Sequence, residues 1–275
     1  MSSELNPIGV FDSGYGGLTI LKEFIDLMPE YDYFYLGDNA RSPYGPRSFD
    51  AVYSYTLEAV NKLFEMGCHI IILACNTASA KALRTIQQND LPKIDHNKRV
   101  LGVIRPSVEA IGKYTLTNNI GILGTRGTVI SNSYPLEIAK LFPNMKVNQE
   151  ACPMWVPLVE NDEFNMPGAD YFIEKNINSL LKKNNKIDSI ILGCTHYPLL
   201  SSKIKKYLPP NIKLLSQGKI VAESLKDYLL RHPEIEIKCT KSSIYKFFTT
   251  DNPTIFKKQG RKFCDKITDV RHINL

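Results

Sequence analysis

Two segments of this chain end in the same way. The apolar run Ile70 to Ala74 leads into Cys75-Asn76-Thr77, and the run Ile190 to Gly193 leads into Cys194-Thr195-His196. Unbroken apolar stretches of strand length suit strands covered on both faces, as in the parallel sheets of α/β proteins. A second echo precedes each: Ile8-Gly9-Val10-Phe11 before Asp12, and Ile120-Gly121-Ile122-Leu123 before Gly124-Thr125. Such a chain is constrained to two α/β halves of like kind. Each half places a cysteine just beyond the carboxyl end of a strand, where open parallel sheets bind ligands.

The surrounding periodicity agrees. Strand Ile8 to Phe11, helix Gly17 to Leu27, strand Tyr33 to Gly37, helix Phe49 to Met66, strand His69 to Ala74 and helix Thr77 to Gln88 make the first unit. A polar connection, Gln87 to Arg99, separates it from strand Val100 to Ile104, helix Pro106 to Lys113, strand Ile120 to Leu123 and helix Gly127 to Leu141. Strand Lys146 to Ala151, helix Ala169 to Lys183, strand Ser189 to Leu192 and helix Pro198 to Tyr207 follow. A helix Lys219 to Leu230 and a strand Ser243 to Phe248 come next, and the last segment has no assignable pattern. The 275 residues correspond to about two domains at roughly 150 residues each. The boundary is expected near Val100.

Charge and composition narrow the function classes. The formal charge of +6 is spread through Lys182 and Lys183, Lys205 and Lys206, and Lys257 to Lys262, which is a solvated surface rather than a nucleic-acid arm. A mildly basic surface also attracts an anionic substrate. Met1 to Pro7 has no cationic start and no apolar core of leader length, and the longest apolar runs are strand-sized, so a cytoplasmic protein without membrane segments is expected. The cysteines at 68, 75, 152, 194, 239 and 264 lack the paired short spacing of zinc sites and are sparse for a disulfide scaffold; they read as free thiols.

Cys75 and Cys194 carry the chemistry. Inverting the α-carbon of an amino acid needs a base on one face and an acid on the other, and a thiolate with a thiol fills both roles. A free cysteine titrates at about 8.5, near enough to neutral for modest positive surroundings, such as a helix start, to generate thiolate. Positioned acid-base groups contribute about 10² to 10⁴ in rate. A lone buried cysteine is commonly inert packing, but two at matching strand ends, each followed by Thr or Asn donors, point to function. Cys68, Cys152, Cys239 and Cys264 lack this setting and read as structural, and His69 carries little functional weight.

The turn Asp12-Ser13-Gly14 leading into Gly16-Gly17 has the backbone donors of a phosphate cradle, but no dinucleotide or P-loop fingerprint completes it. Asp12 also suits a helix cap. The loop Gly37 to Gly45 is rich in turn formers, and Tyr44 could cover a ligand that the Gly45 backbone approaches. His196, two residues after Cys194, could tune the thiol or orient a carboxylate, and Glu160 could orient His196 in turn.

Taken in order, FDSGYGGL from Phe11, GDNARSPYG from Gly37, ACNTASA from Ala74, GTRGT from Gly124, CPMWVPLVE from Cys152 and GCTHYPLL from Gly193 closely resemble the glutamate racemases of bacterial cell-wall synthesis, within the aspartate/glutamate racemase superfamily. The resemblance implies an α/β fold of two pseudo-symmetric domains with mainly parallel sheets and an active site between them. Residues 1–99 with 213–275 would form the first domain and 100–212 the second. It implies Cys75 and Cys194 as the acid-base pair, Asp12 assisting Cys75, and His196 with Glu160 assisting Cys194. Asp12, Ser13, Tyr44, Gly45, Asn76, Thr77, Thr128, Thr195 and His196 match substrate-contacting positions. Glutamate would be interconverted between its L and D forms with no cofactor and no metal, in a homodimer that needs neither nucleic acid nor membrane.

Two places depart from the pattern: Arg105-Pro106-Ser107 stands where Glu-Pro-Gly is frequent, and Ser216-Gln217-Gly218 where an aspartate-containing turn is common. Both bear on the hinge, the regulation and the oligomer geometry rather than on the core motifs and the chemistry. Three other readings stand beside the racemase: a sister enzyme acting on aspartate, a hydantoin or maleate; a two-lobed amino-acid binding protein with incidental cysteines; and a hydrolase using Cys194 with His196. The last has no use for a mirror-image cysteine.

Overall fold

A computed structural model describes residues 5–275, so most of the Met1 to Pro7 segment, read above as lacking a leader, lies outside the described residues. Among the described residues ten strands form two wholly parallel sheets. The strands are β1 (Ile8–Asp12), β2 (Tyr33–Gly37), β3 (Ile70–Leu73), β4 (Arg99–Gly102), β5 (Asn119–Gly124), β6 (Lys146–Ala151), β7 (Ser189–Gly193), β8 (Lys213–Leu215), β9 (Tyr245–Thr249) and β10 (Val270–His272). The first sheet runs β10-β9-β2-β1-β3-β4 and the second β6-β5-β7-β8. Stripped of β9 and β10, the two orders are the same, with β1 matching β5 and β3 matching β7. The sequence echoes are therefore topological equivalents, and the chain reverses direction across each sheet beside β1 and beside β5.

The local chemistry explains most elements. β1, β2, β3, β5 and β7 are buried along their whole length, as their apolar runs require. β6 carries Lys146, Asn148, Gln149 and Glu150 and lies at an edge, where charge discourages pairing with other chains. The last segment folds as strand, helix Pro253–Gly260 and strand, and β9 pairs with β2, which returns the C-terminus to the first sheet.

Several expectations need correction. The helix from Thr77 starts at Asn76, breaks at Ala82 and continues irregularly to Ile94, including a π turn at Ile86–Asp90; much of the supposed polar connection is thus helical. The helix Gly127 to Leu141 is two, Arg126–Ile130 and Ser133–Leu141, because Asn132 adopts left-handed backbone at φ 53°. The motif around Trp155 forms a helix, Trp155–Glu160, whose Pro157 sits in the first turn, where its missing N–H has no partner to lose. β8 was not anticipated.

The domain divisions also shift. β4 pairs with β3 in the first sheet, although its last three residues, Val100 to Gly102, lie in the expected 100–212 domain, and β8 pairs with β7 in the second, although it lies in the expected 213–275 segment. The chain crosses between halves after Gly102 and after Leu215. A polar stretch before a strand resembles a linker, but ladder hydrogen bonds, invisible in sequence, decide which sheet claims the strand. Helix Gln217–Arg231 then spans the two halves: Val221, Ala222 and Leu225 join the apolar core that includes Leu21 and Phe24, while Ile220 packs on the core around Val108 and Ile191.

Candidate active site

Of the twelve sequence-selected residues, eleven lie at the carboxyl ends of strands or in the loops and first helical turns that follow, and Glu160 ends the helix Trp155–Glu160. Asp12 ends β1, and its carboxylate accepts the Gly14 N–H at 2.9 Å, folding the glycine turn back on the strand. Gly17 follows, and a Cβ there would come within 2.6 Å of Asp12 Cβ, so the turn admits no larger residue. Asp12 therefore shapes its own loop rather than capping the helix that follows, whose N-cap is Gly17 with no side-chain cap bond, and its buried carboxyl is raised above the ordinary range by desolvation, against the pull of His196.

Cys75 caps helix Asn76–Lys81: its Sγ accepts the Ala78 N–H at 3.4 Å and lies 3.5 Å from Ser13 Oγ. A helix start was expected to favour thiolate at both cysteines. At Cys75 burial, followed by the negative charge of Asp12, outweighs that donor and pushes the thiol up to about 12. At Cys194 the helix is displaced, since the next helical turn, Tyr197–Leu200, begins three residues later. Its charged neighbour is instead His196, whose Nδ1 lies 3.9 Å from Cys194 Sγ and whose Nε2 lies 2.9 Å from Glu160 Oε1. Burial opposes the imidazolium, but the hydrogen bonds to Cys194 and Glu160 prevail and raise His196 to about 10. The two cysteines, each only 6% exposed, thus sit in unlike surroundings, carboxylate beside one and imidazolium beside the other.

The two halves meet here. A Cβ on Gly16 would fall 2.3 Å from Thr195 Oγ1 and 2.4 Å from His196 Nδ1, so the bare glycine backbone of the first half rests against the Cys194 turn of the second. Thr19 Oγ1 donates to Thr195 O at 3.1 Å. On the other flank Thr77 Oγ1 lies 2.9 Å from Thr125 Oγ1 and 3.5 Å from Thr128 Oγ1, while a Cβ on Gly45 would sit 3.2 Å from Thr125 Cβ. Negative charge on Cys194 weighs on Cys75 across this contact. Asn76 differs from its neighbours, because its side-chain amide is bonded to Tyr134 and Gln217, on the hinge side.

Some contributors were not singled out from sequence. Asp38, fully buried, accepts Tyr44 OH at 2.5 Å, Arg41 Nε at 2.7 Å and Thr250 Oγ1 at 2.8 Å, which fixes Tyr44. Burial and Asp38 push the Tyr44 phenol far above its usual range, so it stays neutral. Tyr197 OH donates to Cys152 O at 3.0 Å and holds the Cys194 turn to the Trp155 helix. Phe263, from the C-terminal segment, stands edge-on to the His196 ring at 5.3 Å. Asp38 and Tyr197 lie inside quoted motifs, where their presence was the only signal; Phe263 lies in a stretch without pattern. Cys68, Cys152, Cys239 and Cys264 are buried free thiols, all raised by desolvation.

Mirrored parallel half-sheets with one cysteine at each equivalent strand end make a pseudo-symmetric cleft of the kind found in isomerases. A profile of the Asp/Glu/Hydantoin racemase family matches residues 19–225, and the chain belongs to that family. Similar proteins include glutamate racemases: that of Streptococcus mutans is 37% identical over 273 residues, 98% of each chain. The crystal structure of a Bacillus anthracis glutamate racemase isoform superimposes with a TM-score of 0.89 at 35% identity, covering 99% of this chain and 98% of that one. The Francisella tularensis glutamate racemase, solved in complex with D-glutamate, gives 0.85 at 32% identity, covering 99% and 97%. No helix among the described residues is long and apolar enough to cross a membrane.

Proposed function

We propose that this protein interconverts L- and D-glutamate by a two-thiol mechanism, supplying D-glutamate for peptidoglycan, as a homodimer in the cytoplasm. The observation that carries the reading is the pairing of Cys75 and Cys194 at equivalent strand ends with opposite charge beside them. At rest Cys75 holds its proton, because burial and Asp12 raise it. Cys194, with the His196 cation alongside, takes the α-proton from one face and becomes a thiol; Cys75 gives its proton to the other face and becomes a thiolate. Total charge is unchanged, and the roles reverse for the opposite enantiomer. Ser13, Thr77, Thr128 and Thr195 with nearby backbone N–H groups hold the ammonium and both carboxylates, and Tyr44 and Gly45 close the site. Fixed donors around the α-carboxylate stabilise the carbanion-like transition state in a water-poor cleft.

Incubation with L-glutamate in deuterated water tests this: the α-hydrogen exchanges and optical rotation falls to zero. Cys75→Ser and Cys194→Ser are each expected to lower racemisation by roughly 10² or more. The spacing of Cys194, His196 and Glu160 also favours a second reading, a thiol hydrolase, since that order supports a nucleophile, its base and an orienting carboxylate. A hydrolase would survive Cys75→Ser. Near-normal racemisation in that variant would refute the two-thiol mechanism, and rates compared across glutamate, aspartate and a hydantoin separate glutamate from the sister substrates.

A further inference from the structure

The two departures from the family pattern meet in the interior. Gln217, the first residue of helix Gln217–Arg231, is 3% exposed, and its Nε2 donates to Ser107 Oγ at 2.7 Å and to Tyr134 OH at 2.9 Å. Ser107 in turn donates to Val103 O at 2.8 Å, so its oxygen is free to accept. An amide nitrogen has two hydrogens, and these bonds use both, leaving the 3.2 Å approach to Val103 O as a shared contact. Tyr134 OH passes its own hydrogen to Asn76 Oδ1 at 2.8 Å, and Asn76 Nδ2 closes the circuit on Gln217 Oε1 at 2.7 Å. Asn76, Gln217 and Tyr134 thus form a ring in which every member both donates and accepts, a buried arrangement in which hydrogen bonds reinforce one another.

The ring occupies both places where the chain crosses between halves. Val103 and Ser107 follow β4, Gln217 follows β8, Tyr134 belongs to the second half, and Asn76 is the residue after Cys75 in the first. Cys75 caps the helix that Asn76 begins, so a shift of Asn76 carries the Cys75 turn with it. We propose that Gln217 is a positioning residue: through the Asn76–Gln217–Tyr134 ring it holds the Cys75 turn in register with the second half across both crossings. Ser107 is its partner at the first crossing, through the 2.7 Å bond from Gln217 Nε2. The inference rests on the racemase reading above, since it assigns Gln217 a role in placing one of two proton-transfer groups.

Gln217→Met, nearly the same shape without the amide, tests it alongside Tyr134→Phe, which removes a single link and keeps the test alive if the first variant folds poorly. A misplaced transfer group costs roughly 10- to 100-fold in kcat. That loss is expected for Gln217→Met with little change in KM, and the primary isotope effects of α-deuterated L- and D-glutamate should become unequal because only one thiol is disturbed. In the absence of substrate, iodoacetamide should alkylate Cys75 several-fold faster than in the unsubstituted protein while Cys194 keeps its rate, read by peptide mass spectrometry. A folded variant with unchanged kcat, or both cysteines accelerating together, overturns the proposal. If the unsubstituted protein fails to racemise glutamate, the functional reading falls, and the alkylation contrast still reports on the ring.

Discussion

At the residue scale, His196 has the most consequential environment. It is buried, yet its hydrogen bonds to Cys194 and Glu160 raise it from the usual 6.5 to about 10. A base whose folded pKa is raised contributes stability that is whole below the unfolded value and drains away as pH climbs through the folded one. His196→Asn is therefore expected to destabilise most near pH 6, with the gap to the unsubstituted protein narrowing by pH 10. Thermal melts across that range check this, and a gap that widens with pH would mean the imidazolium is not the paired form. Cys75 shifts in the same sense, since burial and Asp12 raise its thiol to about 12. It gives up its proton only at strongly alkaline pH, so alkylation of Cys75 in the substrate-free protein should keep rising beyond pH 9.

At the scale of elements, the turn after β1 decides how near the two halves can stand. Gly16 offers only backbone to Thr195 and His196, and the contacts its Cβ would make, at 2.3 and 2.4 Å, are closer than real Cβ atoms tolerate. Gly16→Ala must push the Cys194 turn away. A displacement on the order of 1 Å at a reacting group costs about 10² in rate, so kcat/KM should fall by that order while the circular dichroism spectrum stays unchanged. Wild-type activity would mean the two turns do not close this tightly during turnover.

Across the whole molecule, the C-terminal segment is both the edge of the first sheet and a wall of the site. β9 covers β2, whose five residues are all buried, and Tyr15 packs on Phe256 at 5.3 Å and on Phe263 at 6.1 Å. Ending the chain after Lys241 would leave β2 as an exposed apolar edge, a template for aggregation. Such a truncation is expected to be insoluble or to elute as aggregate on size exclusion; a soluble monomer would show that β9 and β10 are dispensable to the sheet. Phe263 ties that segment to His196, so the tail serves the chemistry as well as the fold.

Periodicity and duplicated strand endings were enough to establish two parallel α/β halves and to single out Cys75 and Cys194, because a buried strand and its terminal residue follow one another in the chain. The motifs likewise pointed to Asp12, Thr77, His196 and Glu160. What sequence left open depends on distance in space. Which sheet claims β4 and β8 is set by ladder hydrogen bonds, and the upward shift of the Cys75 thiol is set by burial and by Asp12 arriving from a different strand. Gln217 and Ser107 looked like unrelated substitutions 110 residues apart, and only folding, by burying both amide and hydroxyl where water cannot serve them, made them partners.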